Sequence, residues 1–62
     1  MDNLKGLLKI IIIIYENSLD IDYTRKVIQD FIREDILELA KDKYNTEDVV
    51  GAMIKEYYTK EP

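Results

Sequence analysis

The chain has 62 residues with no cysteine and no histidine, and its formal net charge is −4 at pH 7. This length allows a single domain, residues 1–62, and the missing residue types exclude disulfides and the commonest zinc sites. Acidic and basic residues alternate along the chain without forming a basic face, so we expect neither nucleic-acid binding nor membrane-surface binding.

The first segment is dominated by the stretch KIIIIIYE, residues 9–16, which contains five consecutive isoleucines. As a helix, this segment is apolar on nearly all sides and must be buried on most of them. As a strand, the β-branched isoleucines are well suited, but the rest of the chain offers no second strand. We predict a helix, because Leu4, Leu7 and Leu8 extend the apolar pattern beyond the length of a typical strand.

The isoleucines also predict self-association. The other two segments form too small a core to cover this much apolar surface, and small domains without disulfides or metals often gain stability by oligomerisation. We therefore expect a homodimer. Its predicted contact residues are Ile10, Ile11, Ile12, Ile13, Ile14 and Tyr15.

No targeting or membrane-spanning segment is predicted. The apolar stretch from Leu4 to Tyr15 is shorter than the ~20 residues that a spanning helix needs. It also lacks the small-residue cleavage site of a secretory signal. We expect a soluble cytoplasmic protein.

The middle segment, residues 20–43, contains neither glycine nor proline. A continuous helix would place its apolar residues on one side, namely Val27, Ile28, Phe31, Ile32, Ile36, Leu39 and Ala40. Asp35 interrupts that side, and it either caps a new short helix, with Glu38 completing a capping box, or lies within one long helix. We predict the continuous helix, because nothing at residues 33–34 would stop it.

The third segment begins at Asn45 or Thr46, either of which can cap a helix. Glu47 and Asp48 then place negative charge in the first turn, where the helix dipole favours it. The apolar residues that follow recur with the helical period and predict a core within the chain. These core residues are Val49, Val50, Met53, Ile54 and Tyr57.

Turn signals at about residues 17–21 and 44–46 separate the three segments. The sequence therefore predicts an all-α protein, most simply an antiparallel three-helix bundle that pairs with a second copy of itself. The alternative is a ribbon-helix-helix-like dimer, in which the first segment is a strand paired with its copy.

Catalysis is not expected. The chain has no histidine or cysteine to act as a base or nucleophile, and its one serine, Ser18, lies in a turn. The pair Asp20 and Asp22 suggests calcium binding, but Phe31 occupies the position of the closing glutamate of such a loop. We predict no enzymatic activity, no metal and no cofactor.

DNA binding is the alternative function. Residues 36–54 have the outline of a helix-turn-helix, with Ala40, Thr46 and Val50 at suitable positions, but Glu47 and Asp48 would meet phosphates at the start of the second helix. A ribbon-helix-helix would need polar side chains along its strand to contact base edges, where this chain has isoleucines. A dimeric transcriptional regulator of either type is therefore the second choice.

The preferred function is a small acidic protein–protein interaction module or regulatory adaptor. Five of the six aromatic residues are tyrosines, which suit interfaces because they combine contact area with a polar hydroxyl. Acids recurring every four residues on the middle segment could imitate nucleic-acid phosphates and block a nucleic-acid-binding protein. The predicted partner-contact residues are Asp30, Glu34, Leu37, Glu38 and Asp42.

Overall fold

The computed structural model describes residues 3–60, which form four α-helices joined by short turns. They are α1 (Asn3–Ser18), α2 (Ile21–Phe31), α3 (Glu34–Tyr44) and α4 (Val49–Thr59). No strand occurs within residues 3–60, so the predicted all-α class is confirmed and the ribbon-helix-helix alternative is wrong. The predicted count of three helices is also wrong. The two ends of the predicted domain, residues 1–2 and 61–62, lie outside the described residues.

All four helices contribute to one core. Its buried apolar residues are Leu7, Ile11, Ile12, Ile28, Ala40, Val49, Val50, Met53 and Ile54. The side chains of Ile11, Ile28 and Met53 are almost completely removed from solvent. The core residues predicted for the third segment are buried, and Tyr57 packs against them half-exposed.

The middle segment forms two helices rather than one, so the predicted continuous helix is wrong. α2 ends at Phe31, Ile32 adopts extended backbone angles (φ −89°, ψ 143°), and α3 starts at Glu34. A single helix over residues 20–43 would be about 36 Å long, whereas the largest extent of the molecule is 27 Å. The break lets both halves pack against the same core.

Asp35 supports the break but does not cap the new helix. Its carboxylate accepts hydrogen bonds from Nε and Nη2 of Arg33, at 3.1 and 2.6 Å, and from the backbone N–H of Ile36 at 2.9 Å. The N-cap position belongs to Arg33. The bonds from Arg33 have the largest effect on the carboxylate. They outweigh its partial desolvation and hold the pKa of Asp35 below its usual value.

Two residues of the predicted apolar side of the middle segment lie in solvent. Phe31 is 80% exposed at the end of α2, and Leu39 is 51% exposed on α3. Ile28 and Ala40, from the same predicted apolar side, are buried. The apolar side of α2 is therefore wider than the core that covers it.

Two aspartates cap helices in the described part of the chain. Asp20 Oδ1 accepts from the backbone N–H of Tyr23 at 3.0 Å at the start of α2, and Asp48 Oδ1 accepts from that of Gly51 at 3.1 Å at the start of α4. Each bond satisfies one of the backbone donors that the first helical turn leaves unpaired. The caps fix where α2 and α4 begin.

Replacing Gly6 with alanine is expected to raise the free energy of unfolding by about 0.5–1 kcal/mol, because alanine has the higher helix propensity. The added Cβ would meet nothing within 4 Å outside its own helix backbone. At Gly51 the added Cβ would collide with the carboxylate of Asp48, so Gly51→Ala loses the cap and gains less or nothing. Urea unfolding of both variants in dilute solution measures the difference. Equal gains at the two positions would contradict this account.

Candidate protein-interaction surface

The predicted self-association residues have different environments in the folded chain. Ile11 and Ile12 are buried in the core of their own chain, and Ile14 packs half-buried against it. Ile10 is 43% exposed and Ile13 is 59% exposed. Ile11 and Ile12 are therefore occupied within one chain, so their predicted part in self-association is wrong, and Ile10 and Ile13 are the isoleucines of this run that remain exposed.

Tyr15, the last of these predicted residues, lies half-buried beside α4. Its ring packs edge-to-face against Tyr58, with ring centroids 6.2 Å apart, and Tyr58 packs in the same manner against Tyr57 at 5.0 Å. Such aromatic pairs fix the position of one helix against another. The structure gives Tyr15 a role in joining α1 to α4.

One side of α1 is exposed along its whole length. Gly6, Ile10, Ile13 and Asn17 are separated by four, three and four residues, which places them in one row on a helix, and all four are exposed. The side-chain amide of Asn17 donates to the carbonyl of Ile13 at 2.8 Å. We name these four residues the α1 stripe.

α2 extends the apolar surface beside the α1 stripe. Tyr23, Val27 and Phe31 recur every four residues on α2, and of these Tyr23 is 53% exposed. α2 packs against α1, and Tyr23 lines a shallow groove of about 490 Å³ with Ile13 and Ile14 on one part and polar residues on the rest. The polar lining residues are Asn17, Ser18 and Asp20. We name the apolar residues on these sides of the two packed helices the α1–α2 surface. They are Ile10, Ile13, Ile14, Tyr23, Val27 and Phe31.

Charged residues border the α1 stripe on one flank. Lys9 and Glu16 are seven residues apart, two helical turns, and both are exposed. Glu16 Oε2 accepts a hydrogen bond from the hydroxyl of Tyr58 at 2.9 Å. Partial removal from water and the neighbouring carboxylate raise the pKa of Tyr58, so its hydroxyl keeps the proton that it donates.

A second concave site, of about 250 Å³, lies between α2, α3 and the start of α4. At its rim Arg25 makes a bidentate pair with Asp48, Nε to Oδ1 at 3.1 Å and Nη2 to Oδ2 at 2.8 Å. Nη1 of Arg25 also donates to Asp22 at 2.8 Å. The bond and the charge of Asp48 raise the pKa of Arg25, and that of Asp48 is lowered by the same bond.

The other cation at this cleft is Lys41, whose Nζ lies 3.4 Å from Glu47 and 3.5 Å from Glu38. The bond and the charge of Glu47, followed by the charge of Glu38, raise the pKa of Lys41. Both cations that line the cleft are thus paired with carboxylates of the same chain. These pairs connect α2, α3 and α4, and they leave neither cation open to an anionic ligand.

The predicted partner-contact residues do not form one continuous row. Asp30 lies on α2, before the break, whereas Glu34, Glu38 and Asp42 lie on one face of α3 and are exposed. Leu37 is half-buried and lines the smaller cleft. Three acids on a single helix remain as an exposed face.

The segment with a helix-turn-helix outline comprises α3, the turn at residues 45–48 and α4. The start of α4, which would approach a DNA groove, carries the carboxylates of Glu47 and Asp48. Phosphates would be repelled there.

Between residues 3 and 60, no group of three or more acidic side chains is placed to hold a metal ion. None of the helices in this part of the chain combines the length and apolar character needed to cross a bilayer.

No protein-family model, no curated protein and no solved structure matches this chain. The functional proposal therefore rests on the chain's own surface.

Proposed function

We propose that this protein is a small, non-enzymatic protein–protein interaction module that forms a homodimer through the α1–α2 surface. The observation that supports the proposal is the exposure of Ile10, Ile13, Tyr23 and Phe31 on adjoining sides of two packed helices, with between 43% and 80% of each residue accessible. Exposed apolar residues grouped on neighbouring helices favour an interaction site, whereas isolated ones are common and carry no such meaning.

The energetics favour covering this surface. Complete burial of one large apolar side chain contributes about 1.5–3 kcal/mol, so covering several half-exposed ones contributes several kcal/mol per copy. In a symmetric dimer both copies bury these side chains, so each contribution occurs twice. Together they help to offset the ~4–15 kcal/mol that association costs in lost translational and rotational freedom. A chain of 62 residues has little core of its own, and a partner adds to it.

We further propose that the dimer acts as an adaptor, binding another protein through the acidic face of α3. Glu34, Glu38 and Asp42 are exposed and recur every four residues, and the whole chain carries a net charge of −4. A basic protein surface complements such a face and is attracted to it over distance. Because Asp30 is separated from these acids by the break, a basic protein partner is favoured over imitation of a nucleic-acid strand.

Ile13→Lys is expected to weaken dimerisation at least about 30-fold, which corresponds to a loss of about 2 kcal/mol at a central interface residue. The lysine would place a charge at the centre of an apolar contact. Because Ile13 is 59% exposed in the single chain, the variant is expected to keep its helical fold. Sedimentation equilibrium over a range of concentrations gives the affinity, and circular dichroism gives the helix content.

The matched control is Leu39→Lys, which makes the same change at a residue of similar exposure on α3, outside the α1–α2 surface. This control is expected to dimerise as the unmodified protein does. A protein that is monomeric at every concentration, or an Ile13→Lys variant that dimerises with unchanged affinity, would refute the proposed dimer.

A further inference from the structure

The α1 stripe has the same spacing in both chain directions. Steps of four, three and four residues lead from Gly6 through Ile10 and Ile13 to Asn17. If two copies of α1 pack antiparallel about the midpoint between Ile10 and Ile13, each of these isoleucines lies opposite the other isoleucine of the partner. Gly6 then lies opposite the partner's Asn17. The open space around the Gly6 Cα accommodates the longer asparagine.

The charges beside the stripe favour the same arrangement. In antiparallel helices a given flank faces the same flank of the other copy, and charged residues there select partner and orientation. With the same midpoint, the partner's Glu16 lies opposite Leu7. Lys9 is two residues further along the helix, a distance of ~3 Å along the axis. The two long side chains span this offset easily, and the two-fold symmetry creates the pair twice.

Glu16 is able to accept this second bond. Its Oε2 is engaged by the hydroxyl of Tyr58, and Oε1 has no hydrogen-bond donor among the described residues. Lys9 is exposed on the same flank. The two side chains therefore reach the interface without breaking a contact within either chain.

A parallel pair of α1 helices lacks this complementarity. Each residue of the stripe would then meet its own copy, so that Gly6 would face Gly6 and leave a gap. The flank with Lys9 and Glu16 would face the opposite flank of the partner's α1. That flank lies beside α2, where Ile14 and Tyr23 line one groove. Lys9 would then lie away from the partner's Glu16, which is on the other flank.

The exposed residues of α2 are compatible with the antiparallel arrangement. Tyr23 and Phe31 lie at equal distances on either side of Val27. When two α1 helices pack antiparallel, the two α2 helices lie on the same side of the pair and face each other. If Val27 lies at the same two-fold axis, Tyr23 of one copy meets the partner's Phe31, and the aromatic ring that is most exposed in the single chain is covered.

We infer that the occupant of the α1–α2 surface is a second copy of this chain, with the two α1 helices antiparallel and Lys9 of each copy paired with the partner's Glu16. This inference rests on the proposed function, because it requires that the α1–α2 surface is the interface. It adds the orientation of the two copies and the charged residues that select it.

Charge reversal in separate proteins tests the inference. Lys9→Glu gives acids at both positions and Glu16→Lys gives bases at both, so each variant alone meets only like charges across the interface. We expect each to dimerise about 10-fold more weakly than the unmodified protein at low ionic strength. In an equimolar mixture the mixed dimer has two attractive pairs, so association is expected to return to nearly the original affinity. Native mass spectrometry with one variant ¹⁵N-labelled identifies the mixed dimer.

The control for this experiment is Lys55→Glu, an equal charge reversal at an exposed residue of α4. It is expected to dimerise like the unmodified protein. Weak self-association of both variants with recovery on mixing supports the antiparallel pair. Unchanged self-association of either variant, or no recovery on mixing, would overturn it.

Disulfide cross-linking tests the orientation without changing any charge. The chain has no cysteine of its own. The antiparallel arrangement predicts that Ile10→Cys cross-links preferentially to Ile13→Cys when the two are mixed and oxidised, because these positions lie opposite each other. Preferential cross-linking of each variant to itself would indicate parallel helices. Failure of the proposed function gives a different result from failure of this inference. In the first case the unmodified protein is monomeric, or Ile13→Lys leaves the mass of the assembly unchanged.

Discussion

Ile11→Ala is expected to lower the free energy of unfolding by about 2–5 kcal/mol, because it removes buried methylene groups and leaves a cavity. Ile11 has no exposed surface and packs among residues of the central core. A domain of this length has a total stability of about 3–9 kcal/mol. The variant is therefore expected to lose between roughly a quarter and all of its stability, and urea unfolding followed by circular dichroism measures the loss.

Ile13→Ala is the matched control for this experiment, since it is the same change two positions along the same helix. Ile13 is largely exposed in the single chain, and the expected effect in dilute solution is within about 0.5 kcal/mol. At concentrations that favour the dimer, the effect of Ile13→Ala should increase. Equal losses at the two positions in dilute solution would contradict the burial that distinguishes them.

Asp48→Ala is expected to lower the free energy of unfolding by about 1–2 kcal/mol, mainly through loss of the α4 cap. Asp48 accepts from the backbone N–H of Gly51 and pairs with the guanidinium of Arg25, so its removal also breaks the ion pair between α2 and the start of α4. The ion pair is about half exposed and contributes less than the cap. Asp20→Ala removes a cap whose aspartate is not paired with an arginine. The expected loss in free energy of unfolding is therefore smaller than for Asp48→Ala.

The contribution of Asp48 should depend on pH in a defined direction. The hydrogen bond from Arg25, followed by that from the Gly51 N–H, holds the pKa of Asp48 below its usual value despite partial desolvation. Because the pKa of Asp48 is lower in the folded state, its charged form stabilises the fold. This stabilisation is complete at pH values above the unfolded-state pKa of about 4, and it is lost as the pH falls through the pKa of the folded state.

The difference in stability between the unmodified protein and Asp48→Ala is therefore expected to be constant near neutral pH and to shrink below about pH 4. Urea unfolding at a series of pH values measures this difference. A difference that grows as the solution is acidified would contradict the stated electrostatic role of Asp48.

Part of this fold was predictable from local sequence signals. The helical period of the third segment identified its buried residues, and the turn signals near Asp20 and Asn45 marked two of the three breaks. A break near Asp35 was one of two alternatives, and the continuous helix was preferred wrongly because neither Ile32 nor Arg33 disfavours a helix and no glycine or proline is present. The break is caused by tertiary packing. Only when the chain turns between α2 and α3 can both helices cover the same core.

The interaction surface was predictable to a smaller extent. The isoleucine run indicated excess apolar surface, but which isoleucines remain exposed depends on how α2 and α4 pack against α1. The sequence pattern could not separate Ile11 from Ile13 for this reason. The four-residue spacing of Tyr23, Val27 and Phe31 was present in the sequence, yet the assumption of one long helix assigned Phe31 to the core.

The short connections between the helices also influence how the chain reaches its folded state. Two residues join α1 to α2, two join α2 to α3, and four join α3 to α4. Most contacts are therefore local in sequence, and helical proteins with such contacts fold within about microseconds to milliseconds. An unfolded run of five isoleucines is a template for cross-β association between chains. Rapid packing of α2, α3 and α4 against α1 limits the time for which that template is available once all four helices have been synthesised.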